Sequence, residues 1–156
     1  MNNEWTRINE AVKCYMRDVC RVYSMRCEKI SDLESIIYNE RICILIQIDR
    51  FHVELLYVFK NGEEVKGFRI GDYLAMRFDD TDRRGIIKSK EAGDDVKNSL
   101  IIIANGLISK CSDVLTGNMN WINKYKQSSR YSEVMISTKT VHAIQEKLPS
   151  PITKVL

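Results

Sequence analysis

The chain has 156 residues, 44% hydrophobic and 29% charged, with 24 basic against 21 acidic side chains and a net charge of +3. That length fits one ordinary domain across 1–156, and the apolar content argues against a disordered chain, because burial can offset chain entropy. The excess of base is too small for a dedicated polycation, which usually shows a clear basic stripe.

Residues 3–29 read as one amphipathic helix. Trp5, Ile8, Val12, Tyr15, Val19 and Tyr23 follow three- and four-residue steps and form one stripe. Asn2 or Asn3 can cap it, and Glu4 suits the positive end of the helix dipole. Arg7, Lys13, Arg17, Arg21 and Arg26 lie on other faces, diluted by Glu10, Asp18 and Glu28. A core-packed helix fits this mixture better than a basic nucleic-acid helix.

From 35 to 70 the period changes to two. The runs ESIIY, RICILIQI, FHVELLYVF and EVKGFRI are short and rich in β-branched and aromatic residues. Ile42, Ile44, Ile46 and Ile48 share one face of the second run, and Cys43 and Leu45 the other, so this strand should be central. Asn61-Gly62 supplies the positive φ angles of a tight hairpin. The connections are too short for parallel crossovers, so the runs should form an antiparallel meander. Gly67, inside a strand, points to a bulge or to close packing.

A helical pattern resumes at Gly71. Residues 78–95, FDDTDRRGIIKSKEAGDD, then form a polar excursion with six acids and four bases. A loop of this length in a compact domain is often functional or disordered. The second long helix is expected near 95–116. Its stripe is Val96, Leu100, Ile103, Leu107, Cys111 and Val114, with Asp94 or Asp95 as cap and Gly117 at its left-handed end. A short helix through MNWINKYKQ, a strand in EVMIST and a short helix in TVHAIQEKL complete the chain. The expected fold is α+β: a meander of about four to five strands against two long helices, with short C-terminal helices.

The five cysteines, Cys14, Cys20, Cys27, Cys43 and Cys111, contain no CxxC pair. On one helix Cys20 and Cys27 would point away from Cys14, which argues for free thiols in a reducing compartment and for no metal site. No cofactor motif stands out. The N-terminal residues lack a signal-peptide pattern, and no apolar run approaches the ~18 residues of a membrane span, so a cytoplasmic location is expected. His52 and His142 are isolated. Asp79, Asp80 and Asp82 fall short of a calcium loop, which needs further oxygen ligands at fixed positions. There is no glycine-rich phosphate cradle.

Two segments remain as candidate surfaces. The acids Asp79, Asp80, Asp82, Glu91, Asp94 and Asp95 could steer a basic partner. The segment 120–131 interleaves Trp121, Tyr125 and Tyr131 with Lys124, Lys126 and Arg130, which could stack on bases and meet phosphates. Packing of Trp121 and Tyr125 inward, four residues apart, is the favoured alternative.

An early helix, a short meander, a polar stretch and then the helix LIIIANGLISKCSDVLTGNMNWI form one arrangement. With Leu115, Gly117, Asn118 and Trp121 in a Leu-x-Gly-Asn step before an aromatic, it resembles small bacterial immunity proteins encoded beside polymorphic toxins. The resemblance spans about residues 50–125. It implies no catalysis, only neutralisation of a cognate toxin domain by binding, with a nuclease among the candidate partners. The alternatives are a nucleic-acid-binding accessory protein and an enzyme with a dispersed site around Cys43 or His52. Neither membrane nor nucleic acid is an expected partner, and the oligomeric state stays open.

Overall fold

The computed structural model describes residues 4–49 and 52–152. Its centre is a six-stranded antiparallel sheet in chain order: β1 (Arg26–Ser31), β2 (Glu34–Tyr38), β3 (Cys43–Ile48), β4 (Val53–Asn61), β5 (Glu64–Arg69) and β6 (Glu133–Met135). β3 and β4 lie in the middle, and Ile44, Leu45 and Ile46 are fully buried there. The β4–β5 turn has Gly62 at φ 64°, with Asn61 opposite Glu64. Gly67 faces β4 so closely that a Cβ there would lie 3.0 Å from Leu56 Cβ. Close packing, not a bulge, requires this glycine.

The expected helix over 3–29 is three elements: α1 (Glu4–Tyr15), α2 (Arg17–Tyr23) and β1. Ser24 stops α2 by turning left-handed, at φ 53°, while its N–H donates to Cys20 O. Beyond it the backbone pairs with β2, Cys27 opposite Ile37. Tyr23 and Cys27 keep a four-residue spacing, which hid the change from helix to strand. As an edge strand, β1 carries Arg26, Glu28 and Lys29, charges that oppose further strand addition. Asn9 pins α1 to the β1–β2 hairpin: its Nδ2 donates to Ser31 O (2.9 Å) and Glu34 O (3.2 Å), and its Oδ1 accepts from Ser35 Oγ (2.8 Å).

Both sheet faces are covered. On one, Ile37, Ile44, Ile46, Leu55, Tyr57 and Phe68 meet apolar residues of α1, α2, α4 (Ala92–Lys110), α5 (Ser112–Leu115) and α6 (Asn120–Gln127). On the other, Ile36, Leu45, Leu56, Val58 and Ile136 meet Val141 and Ile144 of α7 (Thr138–Lys147). Full burial of each large aliphatic side chain contributes about 1.5–3 kcal/mol. A covered second face explains why β3 is apolar on both sides.

The second long helix also differs from expectation. α4 begins at Ala92, and α5 is a separate turn after Cys111. Gly117 is left-handed at φ 81°, but it follows α5. The short α3 (Gly71–Ala75) leads from β5 into the excursion.

Candidate functional site

A long irregular segment must find partners for its backbone groups. Residues 79–91 find them along one face of α4. Asn98, Asn105 and Ser109 are spaced by seven and four residues, so they share a helical stripe. Asn105 Nδ2 donates to Asp82 O (2.9 Å) and Arg84 O (3.0 Å). Asn98 treats Ile87 as a strand neighbour would: its Nδ2 donates to Ile87 O (2.7 Å) and its Oδ1 accepts from Ile87 N (2.9 Å). At the base of the loop the Phe78 ring lies over Gly106, where any Cβ would overlap it. The segment therefore runs back along α4, pinned at several points.

Two of the six acids hold this arrangement from within. Asp82 is fully buried in the 3-10 turn Asp80–Arg83. Its carboxylate accepts from Ser109 Oγ (2.6 Å), Lys110 Nζ (3.0 Å) and Asp79 N (3.0 Å). Burial alone would raise its pKa; the Ser109, Asp79 and Lys110 hydrogen bonds outweigh that and hold it below the ordinary value. Asp94 is also buried and closes a capping box with Glu91, so Glu91, not Asp94 or Asp95, is the N-cap of α4. Its Oδ2 accepts from Lys90 N (2.9 Å) and Glu91 N (3.1 Å), which lower its pKa. Of the six acids named as candidates for a partner surface, Asp82 and Asp94 are thus buried and engaged within the chain.

Asp79, Asp80, Glu91 and Asp95 remain exposed, Asp79 with Lys110 Nζ at 3.4 Å. Over 79–91 the outward charges are Asp79, Asp80 and Glu91 against Arg83, Arg84, Lys88 and Lys90. The loop surface is therefore mixed, not acidic. Ile87 stands among these charges 48% exposed. Asn98, Asn105, Ser109 and Lys110 were missed in the sequence because polar residues on a helix ordinarily read as a solvated face. Their common stripe, following a long loop, was the available signal.

The aromatic–basic segment does not present its rings. Trp121 and Tyr125 are buried, packed with Tyr57 and Phe68, and unavailable for stacking on bases. Tyr125 Oη accepts from Ser132 N (3.0 Å) and lies 2.9 Å from Arg69 O. Trp121 Nε1 is buried without a hydrogen-bond partner among the described residues. Tyr131 is 38% exposed, its hydroxyl donating to Glu133, and Lys124, Lys126 and Arg130 are exposed. Lys126 Nζ sits 5.7 Å from the Phe68 ring centre.

Cys14, Cys20 and Cys27 line one hollow of about 580 Å³. Cys27 reaches it from β1, and not from the N-terminal helix as expected. Burial pushes the Cys20 thiol up to about 11, against the opposing pull of Lys13, and Cys27 up to about 12. Burial likewise takes Cys43 and Cys111 to about 12, far from thiolate at neutral pH. His52 is exposed between Asp49 Oδ1 (3.4 Å) and Glu54 Oε2 (3.2 Å). Among the described residues no group of three or more His, Cys, Asp or Glu could hold a metal ion, and no helix is long and apolar enough to cross a membrane. Comparison with protein-family models, curated proteins and solved structures finds no match.

Proposed function

We propose that this protein acts by binding a partner protein at loop 79–91, in the manner of a stoichiometric inhibitor. One observation carries the reading: the loop's backbone is tied to α4 by Asn98, Asn105 and Asp94 while Ile87 and seven charges point outward. A loop ordered before binding loses little conformational entropy on association, which raises affinity without added contact area. The toxin-neutralising role implied by the resemblance to immunity proteins is the form we favour. Its nuclease version, an acidic loop against a basic active site, draws little support from a loop surface of mixed charge. A partner with an apolar socket for Ile87 and charges of both signs around it fits better.

The test is co-expression of the full chain with each product of the reading frames flanking its gene. A one-to-one complex that Ile87→Asp weakens by about a hundredfold, near the hot-spot threshold, supports the reading. Failure of every flanking product to form a complex contradicts it, as does a complex indifferent to Ile87→Asp.

A further inference from the structure

A cleft of about 880 Å³ lies away from the loop, where four parts of the chain converge. The end of α2 supplies Val22 and Ser24, and β1 supplies Arg26. The β2–β3 turn supplies Asn39, Glu40 and Arg41 beside Tyr38. Leu115 and Thr116 end α5, and Lys147 and Pro149 end α7. Three cations from three different elements, Arg26, Arg41 and Lys147, thus share one cleft with a single acid, Glu40. None of the three has an ion pair among the described residues, whereas Arg69, Arg77 and Lys110 are each paired with a carboxylate. Three cations against one acid leave the cleft with an excess of positive charge, which favours an anion.

The neutral groups agree. Tyr38 is only 5% exposed and lines the cleft, and its hydroxyl, which has no hydrogen-bond partner among the described residues, is the part open to solvent there. Such a hydroxyl can donate to a bound anion. Asn39 Oδ1 is taken by the N–H groups of Arg41 (2.9 Å) and Ile42 (3.1 Å), which leaves its amide nitrogen as a donor to the cleft. Arg41 is itself positioned. Its stem lies on Gly117, where a Cβ would be 3.0 Å from Cδ, and its Nη1 reaches Thr116 O at 3.5 Å. The absence of a side chain at Gly117 therefore leaves room for the Arg41 stem beside this cleft.

We infer that the cleft is a binding site for a small phosphate-bearing molecule, held by Arg26, Arg41, Lys147 and the Tyr38 hydroxyl. The cations come from separate elements, which suits a tetrahedral group with several acceptor oxygens better than one planar carboxylate. The volume exceeds that of a bare phosphate and falls in the range of small-molecule sites, with Val22, Leu115 and Pro149 as apolar wall for an organic body. This site is independent of the loop and stands or falls separately.

The test is a calorimetric titration of the full chain at low salt with inorganic pyrophosphate, and in parallel with citrate. Pyrophosphate should bind saturably, with Kd below about 1 mM. Arg41→Gln and Lys147→Gln should each weaken it about tenfold, and Tyr38→Phe about threefold, as expected for loss of charged and neutral hydrogen bonds. Lys139→Gln, an exposed cation in the first turn of α7 outside the cleft, should leave it unchanged. No saturable binding overturns the inference, and so does equal weakening by Lys139→Gln. Citrate binding as tightly as pyrophosphate overturns the assignment to phosphate.

Discussion

Replacing Asp82 by Ala removes a fully buried carboxylate that accepts three hydrogen bonds, from Ser109, Lys110 and the Asp79 N–H. Hydrogen bonds to a charged group contribute about 1.5–3 kcal/mol each but are not additive, and Lys110 retains Asp79 at 3.4 Å. A loss of about 3 kcal/mol is the expectation, in line with breaking a buried charged network. Urea unfolding followed by tryptophan fluorescence reads this directly. With a slope of about 2 kcal/mol per molar for a chain of this size, the midpoint should fall by about 1.5 M. Asp80→Ala, at an exposed position of the same turn, should stay within about 0.5 kcal/mol of wild type. The effect should depend on pH in one direction. The Asp82 pKa is lowered in the folded state, so its contribution is complete above the unfolded carboxylate value. It fades as pH falls through the folded value, and the difference between wild type and Asp82→Ala should shrink there. A loss under about 1 kcal/mol at neutral pH, or one that grows on acidification, would refute the role given to Asp82.

Two further substitutions examine the packing around the loop and the sheet. Gly106→Ala would gain about 1 kcal/mol from helix propensity alone, but its methyl must displace the Phe78 ring, so net destabilisation of about 1–2 kcal/mol is expected in urea unfolding; a net gain would show that the ring does not lie over α4. Trp121→Phe loses packing but also removes an Nε1 donor with no partner among the described residues, so stability should change by less than about 1 kcal/mol, and a loss above about 2 kcal/mol in thermal unfolding would refute that offset.

The meander was legible because its signals are local. Alternation in RICILIQI and the Asn61-Gly62 turn each determine geometry within a few residues, and the strands follow them. β1 was not legible because Tyr23 and Cys27 continue the helical spacing; pairing with β2, a contact distant along the chain, decides the matter. The excursion was located as a polar stretch before α4. That Asp82 turns inward depends on hydrogen bonds to Ser109 and Lys110, some 27 residues away. A local hint did exist, since Asp79–Asp82 and Glu91–Asp94 both have the three-residue spacing of a capping box. The cleft could not be seen in the sequence at all. Arg26, Arg41 and Lys147 are far apart along the chain and meet only because β1, the β2–β3 turn and α7 end at the same place.

A prearranged binding surface requires residues 79–91 to hold one conformation before any partner arrives. Residue-resolved amide hydrogen exchange of the isolated chain reads that order. Exchange should be slowed by about tenfold or more over an open chain at Asp82, Ile87 and Lys90, whose N–H groups are bonded to Asp79 O, Asn98 Oδ1 and Asp94 Oδ2. In Asn98→Ala the protection at Ile87 should vanish while the amides of β3 keep theirs. Exchange of Ile87 and Lys90 at the open-chain rate in the unaltered protein would rule out a prearranged binding surface, since the loop would then be mobile when free.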